Sequence, residues 1–592
     1  MTDDAGQQPS QPSQQPSRTF SIQTEAPAEA LLASLKLNGV DRIWFVSGSE
    51  IGVLQEGSAK HRALGRPTPA IMTMAHEQAA LAAACGDTIV TGKPSAAAFH
   101  VEVGLLNAGG AIHNADRGGH PVLIMSGYPA SAEPGTAPGA RNARIQWYQQ
   151  IPDQGELVRQ YMRWDHKLTP YDNAGAVVSR ALQVTLSEPR GPAYLALPRE
   201  VSMSPQAGTG FPLLSQLPPV PSPAPDRAQI RQAASWLVEA AEPVISVSRI
   251  GRTPGAIGAL VELAELLGAR VLADTHHGLS FPGAHPLQRG VPAIAPMPAE
   301  TDCVLVIDSL VPWMPGQFDP SPDTKVIRIA KDPAHRVTIT YQFPADLAIT
   351  ADPGAAIEML LEEVRGQLTG VREAQIAGRR DKHVSEGRAR RAELLSRAER
   401  DRASGTISPL YLSHRLGALD PEVTIAHELV EGTLFDRERP GTLVGPGGSS
   451  IGFTAPMAIG MKVAAPDRPI IAAVGDGSWM FSNPQVCTWA SAFHHAPVLF
   501  VVYNNRGYRT GTQEILRAFP DGYAKRTGDL TGGFFDPPPC YAAEAAASGH
   551  FGEKVTEPDQ LDAAIERGLK AAADGTPGVL EVWLPKHITG EV

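Results

Sequence analysis

Cysteine is scarce in this chain. Its 592 residues hold four (Cys85, Cys303, Cys487 and Cys540), none in a Cys-x-x-Cys spacing. That excludes a disulfide scaffold and a thiolate metal site, and the four read as buried thiols. An excess of positive charge is also missing. The formal net charge is −11, which excludes the basic footprint of a nucleic-acid-binding protein. No apolar run reaches the roughly 18 residues that a membrane span needs. The N-terminus has neither the basic nor the apolar region of a signal peptide, so the cytoplasm is the expected compartment. What remains is ordinary globular material, 43% hydrophobic and 19% charged, long enough for several domains.

Alternation is what the sequence does have. Residues 1–20 are a Gln/Pro/Ser tract with too little apolar surface to fold, and disorder is expected there. From Thr24 onward helical patterns at 27–38 and 76–91 alternate with short apolar runs at 42–46, 69–74, 96–99, 121–125 and 193–197. Such alternation predicts a parallel sheet covered by helices. A Pro/Ser-rich linker (203–227) leads to a second unit with runs at 243–247, 270–273, 303–307 and 325–329. An Arg/Glu-dense stretch (369–405) predicts a solvated helical linker, and a third unit occupies 406–592. The expected fold class is α/β, with three doubly wound parallel-sheet domains at 21–202, 228–368 and 406–592. No internal sequence repeat is evident.

The third unit carries the most informative stretch. An apolar run at 469–474 stops at Gly475-Asp476-Gly477-Ser478. Asn483-Pro484 then predicts a helix start, with asparagine as N-cap and proline at the first helical position. A second apolar run at 498–503 ends at Asn504-Asn505-Arg506-Gly507. This is one βαβ unit, so Asp476 and Asn505 meet at the carboxyl edge of the sheet, where open α/β sheets bind ligands. A carboxylate, an amide oxygen and a loop carbonyl make an oxygen-only site suited to Mg²⁺ bridging to phosphates. Ahead of it, the glycine-rich loop Gly445-Pro-Gly-Gly448-Ser-Ser-Ile451-Gly452 precedes a helix, and its backbone suits close approach to a ligand.

The Gly-Asp-Gly…Asn-Asn pattern resembles the motif of thiamine diphosphate (ThDP) enzymes. Three α/β units in this order resemble the acetolactate synthase and benzoylformate decarboxylase branch of that family. The resemblance implies that Asp476, the Asn505 side chain and the Gly507 backbone oxygen hold Mg²⁺ against the diphosphate, with Gly475, Gly477 and Ser478 around it. It implies that Ile451 props the cofactor in its bent form, Gly448 lies in the cofactor loop, and His427 and Glu428, beyond the run at 423–425, lie near the diphosphate or pyrimidine. Glu77, past a strand and at the start of a helix, is similar in place to the glutamate that activates the cofactor; its plain alternative is a helix N-terminal acid satisfying the dipole. His100, followed by Gly104 and Asn107, looks like the active-site histidine of benzoylformate decarboxylase-type members, the alternative being a strand-end histidine bonded to backbone.

The implied activity is ThDP- and Mg²⁺-dependent cleavage or formation of a carbon–carbon bond in a 2-oxo acid, with a proton or an aldehyde as acceptor. A 2-hydroxyacyl-CoA lyase-type enzyme and a non-catalytic ThDP-binding scaffold stand as alternatives. Glu102 is a further polar residue of unassigned role. The stretch 312–319 has no histidine where such decarboxylases bring a second one, and the adjacent pair His276-His277 is expected to be exposed. FAD is a possible cofactor without a firm fingerprint, Gly251 being the only weak sign. Residues 506–539 read as a lid with Arg509 as a carboxylate clamp, or as a plain surface loop. The resemblance also implies a homodimer or homotetramer with active sites between subunits, Glu77 of one chain facing Asp476 of another.

Overall fold

The computed structural model describes residues 19–586 except 207, 209 and 293. It contains three six-stranded sheets, every pairing in them parallel. The N-terminal sheet runs in the order Ala70–Thr73, Arg42–Phe45, Ser95–Phe99, Val122–Tyr128, Ala193–Pro198, Asp165–Lys167. The C-terminal sheet runs Leu443–Val444, Thr424–Glu428, Ile470–Gly475, Leu499–Asn504, Gly578–Trp583, Phe551–Val555. Counted along the chain, both follow the order second, first, third, fourth, sixth, fifth. A structural repeat is therefore present that leaves no mark in the residues. The middle sheet differs: Gln288–Gly290, Arg270–Ala273, Pro243–Val247, Cys303–Ile307, Lys325–Ala330, Leu347–Thr350. Its order reverses between the strands at 243–247 and 303–307, as in a dinucleotide-binding fold.

The apolar runs became strands because each is buried on both faces, Cys303–Ile307 and Val122–Tyr128 throughout their length. The Arg/Glu-dense stretch is one helix, Gly370–Ala403. Of the Gln/Pro/Ser tract, residues 1–18 lie outside the described residues; Phe20–Ser21 pairs antiparallel with Gly210–Phe211 inside the Pro/Ser-rich stretch. Three cysteines are buried, but Cys540 is exposed, contrary to expectation.

One packing contact decides where the site lies. Helix Glu77–Thr91 is buried along most of its length by a run of alanines, and it crosses helix Thr454–Ala464 in the same chain. A side chain built at Gly86 would come 2.0 Å from Met457 O, and one at Gly460 would come 1.9 Å from Ala83 O. Only glycine lets these backbones approach so closely. The N- and C-terminal units thus share one apolar core, and their carboxyl edges face each other.

Candidate active site

The C-terminal edge is built on three neighbouring strands. Gly475 pairs with Tyr503, so the residues that follow the two strands adjoin. Asp476 opens the short helix Asp476–Phe481 and is 1% exposed. Its Oδ1 accepts from Gly477 N (2.9 Å) and its Oδ2 from Gly507 N (3.0 Å). Burial nevertheless pushes its carboxyl up to about 6, with those N–H groups pulling the other way. Of the two asparagines, Asn504 turns inward, its Nδ2 donating to Glu581 Oε1 at 2.8 Å. Asn505 is half-buried and remains available as a ligand. Gly507 gives its N–H to Asp476, and its carbonyl accepts from Arg509 N at 3.1 Å with a lone pair to spare. The ring of Tyr508 lies over Gly477, where a Cβ would come within 3.1 Å.

Two buried hydroxyls at this edge make no hydrogen bond, Ser478 Oγ and Tyr541 OH. Ser478 comes near enough to Glu428 to favour that carboxyl's ionised form, and Tyr541 is near enough to Asp476 to feel its charge. Buried hydroxyls left unpaired are expensive, at about 1–3 kcal/mol each. A buried carboxylate close to buried hydroxyls that lack protein partners is an oxygen-rich donor set that fits a metal-bound diphosphate.

The opposing edge carries Glu77. It begins helix Glu77–Thr91, which His76 caps by accepting from Gln78 N at 3.2 Å. Glu77 is nearly buried, and its Oε2 accepts from Asn107 Nδ2 at 3.1 Å. A Cβ at Gly104 would come within 3.4 Å of its side chain, so Gly104 and Asn107 both serve this carboxylate. Gln78 Nε2 reaches Ile451 O (3.2 Å) and Gly452 O (3.3 Å), while Asn114 exchanges two bonds with the backbone of Ser450. Gln78, next to Glu77, thus reaches the backbone of the loop that carries Ile451.

Several expected residues occupy different places. The glycines of loop 445–452 are closely approached by neighbouring protein. A Cβ at Gly445 would meet His276 O at 2.2 Å, and one at Gly448 would meet Asn114 Oδ1 at 2.3 Å. His427 and Glu428 are the last residues of strand Thr424–Glu428, not residues beyond it. His427 Nε2 bonds Thr275 O at 3.1 Å, and burial holds the imidazole down at about 4, hence neutral. Glu428 accepts from the amides of Gly452, Phe453 and Thr454, which caps helix Thr454–Ala464 and fixes the loop carrying Ile451. Asn483 precedes its helix with φ 57° and no side-chain bond, so the helix start at Pro484 is real but the capping chemistry is not.

His100 is not bonded to backbone. Its Nδ1 lies 2.9 Å from Glu50 Oε2, and its Nε2 lies 2.9 Å from Gln149 Nε2. His277 is buried rather than exposed, within 3.4 Å of Asp274 Oδ2 and held neutral by burial, which takes it down to about 4. Trp313 and Phe318 of the stretch 312–319 are core residues of the middle unit. Segment 506–539 folds into helices Arg509–Ala518 and Tyr523–Thr527, closed by the pairing of Gly507 with Phe534. Arg509 lies near Glu431, its Nε buried and unpaired. Sequence reasoning missed Glu50, Gln149 and Tyr541. Glu50 had a usable signal, since Ser47-Gly48-Ser49-Glu50 follows a strand just as the stretch bearing Glu77 does.

Comparison with known proteins agrees with this geometry. Family models described as thiamine pyrophosphate enzyme match in three pieces: the N-terminal TPP binding domain over residues 27–157, the central domain over 230–360 and the C-terminal TPP binding domain over 426–582. Benzoylformate decarboxylase of Pseudomonas aeruginosa is 26% identical over 461 residues, covering 75% of this chain and 79% of its own length. An acetolactate synthase large subunit of Mycobacterium tuberculosis is 26% identical over 592 residues, covering 95% and 96%. The solved structure of a thiamine diphosphate-dependent 4-hydroxybenzoylformate decarboxylase from Rhodococcus jostii superimposes with a TM-score of 0.73 at 21% identity, over 95% of this chain and 100% of that one. Carrying all three domains in that order across most of its length, the chain belongs to the thiamine pyrophosphate enzyme family.

Proposed function

We propose that this enzyme uses ThDP and Mg²⁺ to decarboxylate a 2-oxo acid, with a proton or a second carbonyl compound taking the place of CO₂. The observation that carries the reading is the pairing of the two edges. Glu77, held by Asn107, precedes Gln78, which bonds the Ile451 carbonyl, while Asp476, Asn505 and the unpaired Ser478 hydroxyl occupy the edge of the unit that carries Ile451. Asp476, Asn505 and Gly507 O would hold the metal, Ser478 a phosphate oxygen, and Ile451 the bend. The cofactor, when bound, supplies a carbon acid that adds to the carbonyl and accepts the electron pair released with CO₂. In this reading Glu77 holds a proton on the aminopyrimidine, and His100 Nε2 delivers one to product. The names of the relatives, benzoylformate decarboxylase and acetolactate synthase, support a 2-oxo acid as substrate.

FAD has no part in this reading. At the switch point of the middle sheet, Arg249 Nη2 donates to Arg117 O (3.2 Å) and Arg252 Nη1 to Gly118 O (2.7 Å). A flavin there would have to displace the N-terminal unit. For assembly, we infer a homo-oligomer in which N-terminal units are exchanged about the 203–227 linker. The contacts that Gln78 and Asn114 make within one chain are then made between two; the family resemblance supports this arrangement.

The test is calorimetric titration with ThDP and Mg²⁺, followed by CO₂ release from a panel of 2-oxo acids with and without aldehydes. Glu77→Gln should keep cofactor affinity and lose about 10²- to 10⁴-fold in turnover, the range for a general acid–base group. Unchanged turnover in that variant sinks the assignment. Binding with no turnover on any 2-oxo acid would mean a scaffold.

A further inference from the structure

The first and third strands of the N-terminal sheet, Arg42–Phe45 and Ser95–Phe99, are neighbours, so the residues past their carboxyl ends meet. Past the first comes Ser47-Gly48-Ser49-Glu50; past the third comes His100. The Glu50 side chain is 0% exposed, with Oε2 2.9 Å from His100 Nδ1. Ser49 Oγ donates to the same oxygen at 2.7 Å, and Gln146 Nε2 to Oε1 at 3.4 Å. Burial by itself would raise this carboxyl; His100, Ser49 and Gln146 together hold it down at about 2, so it stays ionised.

The backbone has made room for the pair. A Cβ at Gly48 would stand 2.2 Å from His100 Nδ1, and one at Gly127 would stand 2.6 Å from Glu50 Cβ. On the other side of the ring, Gln149 Nε2 is 2.9 Å from His100 Nε2. Gln146 lies in helix Ile145–Tyr148 and Gln149 is its C-cap, so one short element steadies the carboxylate and the imidazole together. The other acid of this corner is Glu102, first residue of helix Glu102–Asn107, whose carboxyl burial pushes up and which lies within electrostatic reach of both His100 and Glu50.

An ionised carboxylate at Nδ1 keeps a proton on that nitrogen. The exchangeable proton, or the lone pair, is then at Nε2, on the side facing Gln149. We propose that Glu50 is the positioning residue of His100, fixing its tautomer and its orientation for proton delivery at Nε2. The proposal rests on the reading of His100 as the proton-handling residue of the reaction above.

The test uses the full-length protein with ThDP and Mg²⁺, as wild type, Glu50→Gln and Glu50→Asp. Two quantities are read: kcat against KM on the best 2-oxo acid, and the ¹⁵N signals of the His100 ring, assigned with His100→Ala. Glu50→Gln should lower kcat by about 10- to 100-fold, as loss of a residue orienting a reactive ligand does. KM and ThDP affinity should stay unchanged, and the Nδ1 signal should move toward the average of two tautomers. Glu50→Asp should restore part of kcat and part of the Nδ1 position. Wild-type kcat with an unmoved ring signal in Glu50→Gln overturns the proposal, as does a fall in ThDP affinity with an unmoved ring signal. If wild type turns over no 2-oxo acid, the reaction reading fails, while the ring signal still decides whether Glu50 sets the tautomer.

Discussion

Glu50 and Asp476 are buried carboxylates at the carboxyl edges of two sheets with the same strand order, yet the protein treats their charges oppositely. Glu50 is held down at about 2 because the chain supplies His100 as its partner. Asp476 is pushed up to about 6 by burial, which the backbone N–H groups facing it offset only in part. A charge that the fold balances itself belongs to a finished device, and the Glu50–His100 pair is one. A charge left unbalanced at a carboxyl edge can take a partner from outside the fold, as the proposed metal would be. The same topology thus carries a paired carboxylate at one edge and an unpaired one at the other.

Removing the unbalanced charge should have the largest effect. Asp476→Ala leaves the buried amides of Gly477 and Gly507 without their acceptor, so a melt of the apoprotein first establishes that the variant folds. ThDP with Mg²⁺ at a hundred times Kd should raise the apparent stability of wild type by about 2.7 kcal/mol and that of the variant by nothing measurable. Turnover should vanish with binding. Mixing Asp476→Ala with Glu77→Gln subunits, after unfolding and joint refolding, then locates the site. Exchange of N-terminal units between subunits predicts recovery to about a quarter of the wild-type rate, because half of random pairs are mixed and each has one intact site. No recovery would mean that each chain builds its own site through the contact of Gln78 with Ile451.

The balanced charge makes a smaller and pH-dependent difference. Glu50 has a folded pKa near 2 against an ordinary value of 4.5. Its contribution is therefore present above about pH 4.5 and is lost as pH falls toward 2. The shift corresponds to roughly 3 kcal/mol at neutral pH. Denaturant melts of the apoprotein should show Glu50→Gln less stable than wild type at pH 7, with the gap narrowing between pH 5 and pH 3. A gap independent of pH would mean that His100 does not meet the carboxylate, and the contrast with Asp476 would fail.

Much of this contrast was legible in residues, though unevenly. Asp476 and Asn505 could be placed because an apolar run, a proline-started helix and a second apolar run fix one βαβ unit without any distant information. Glu77 could be placed for the same reason, being next to a strand end. Glu50 was not, although it too follows a strand end, because its meaning comes from His100, which pairs with it only through sheet order. The strands Asp165–Lys167, Gln288–Gly290 and Leu443–Val444 were missed because two or three residues at a sheet edge carry no periodicity. At Gly448 the glycine states that something comes close, and the residues alone do not say that Asn114 is among what does. The repeated strand order of the outer sheets was invisible for a related reason, since topology depends on pairing and not on repeated residues.

The smallest effect is expected at Ser478, and it tests the unfinished edge most directly. Its hydroxyl is buried and unpaired beside Asp476. If that hydroxyl waits for a phosphate oxygen, deleting it should help the empty protein and harm the loaded one. Ser478→Ala should make the apoprotein more stable by about 1 kcal/mol, the lower end of the penalty for a buried unmatched hydroxyl. The same change should weaken ThDP about tenfold, since a hydrogen bond to a charged phosphate contributes about 1.5 kcal/mol or more. Opposite signs in the two states are the signature of a group held in readiness. Loss of stability in the apoprotein would show instead that Ser478 already bonds Glu428, the one carboxylate near enough to feel it, and the C-terminal edge would then be as self-contained as the Glu50–His100 pair.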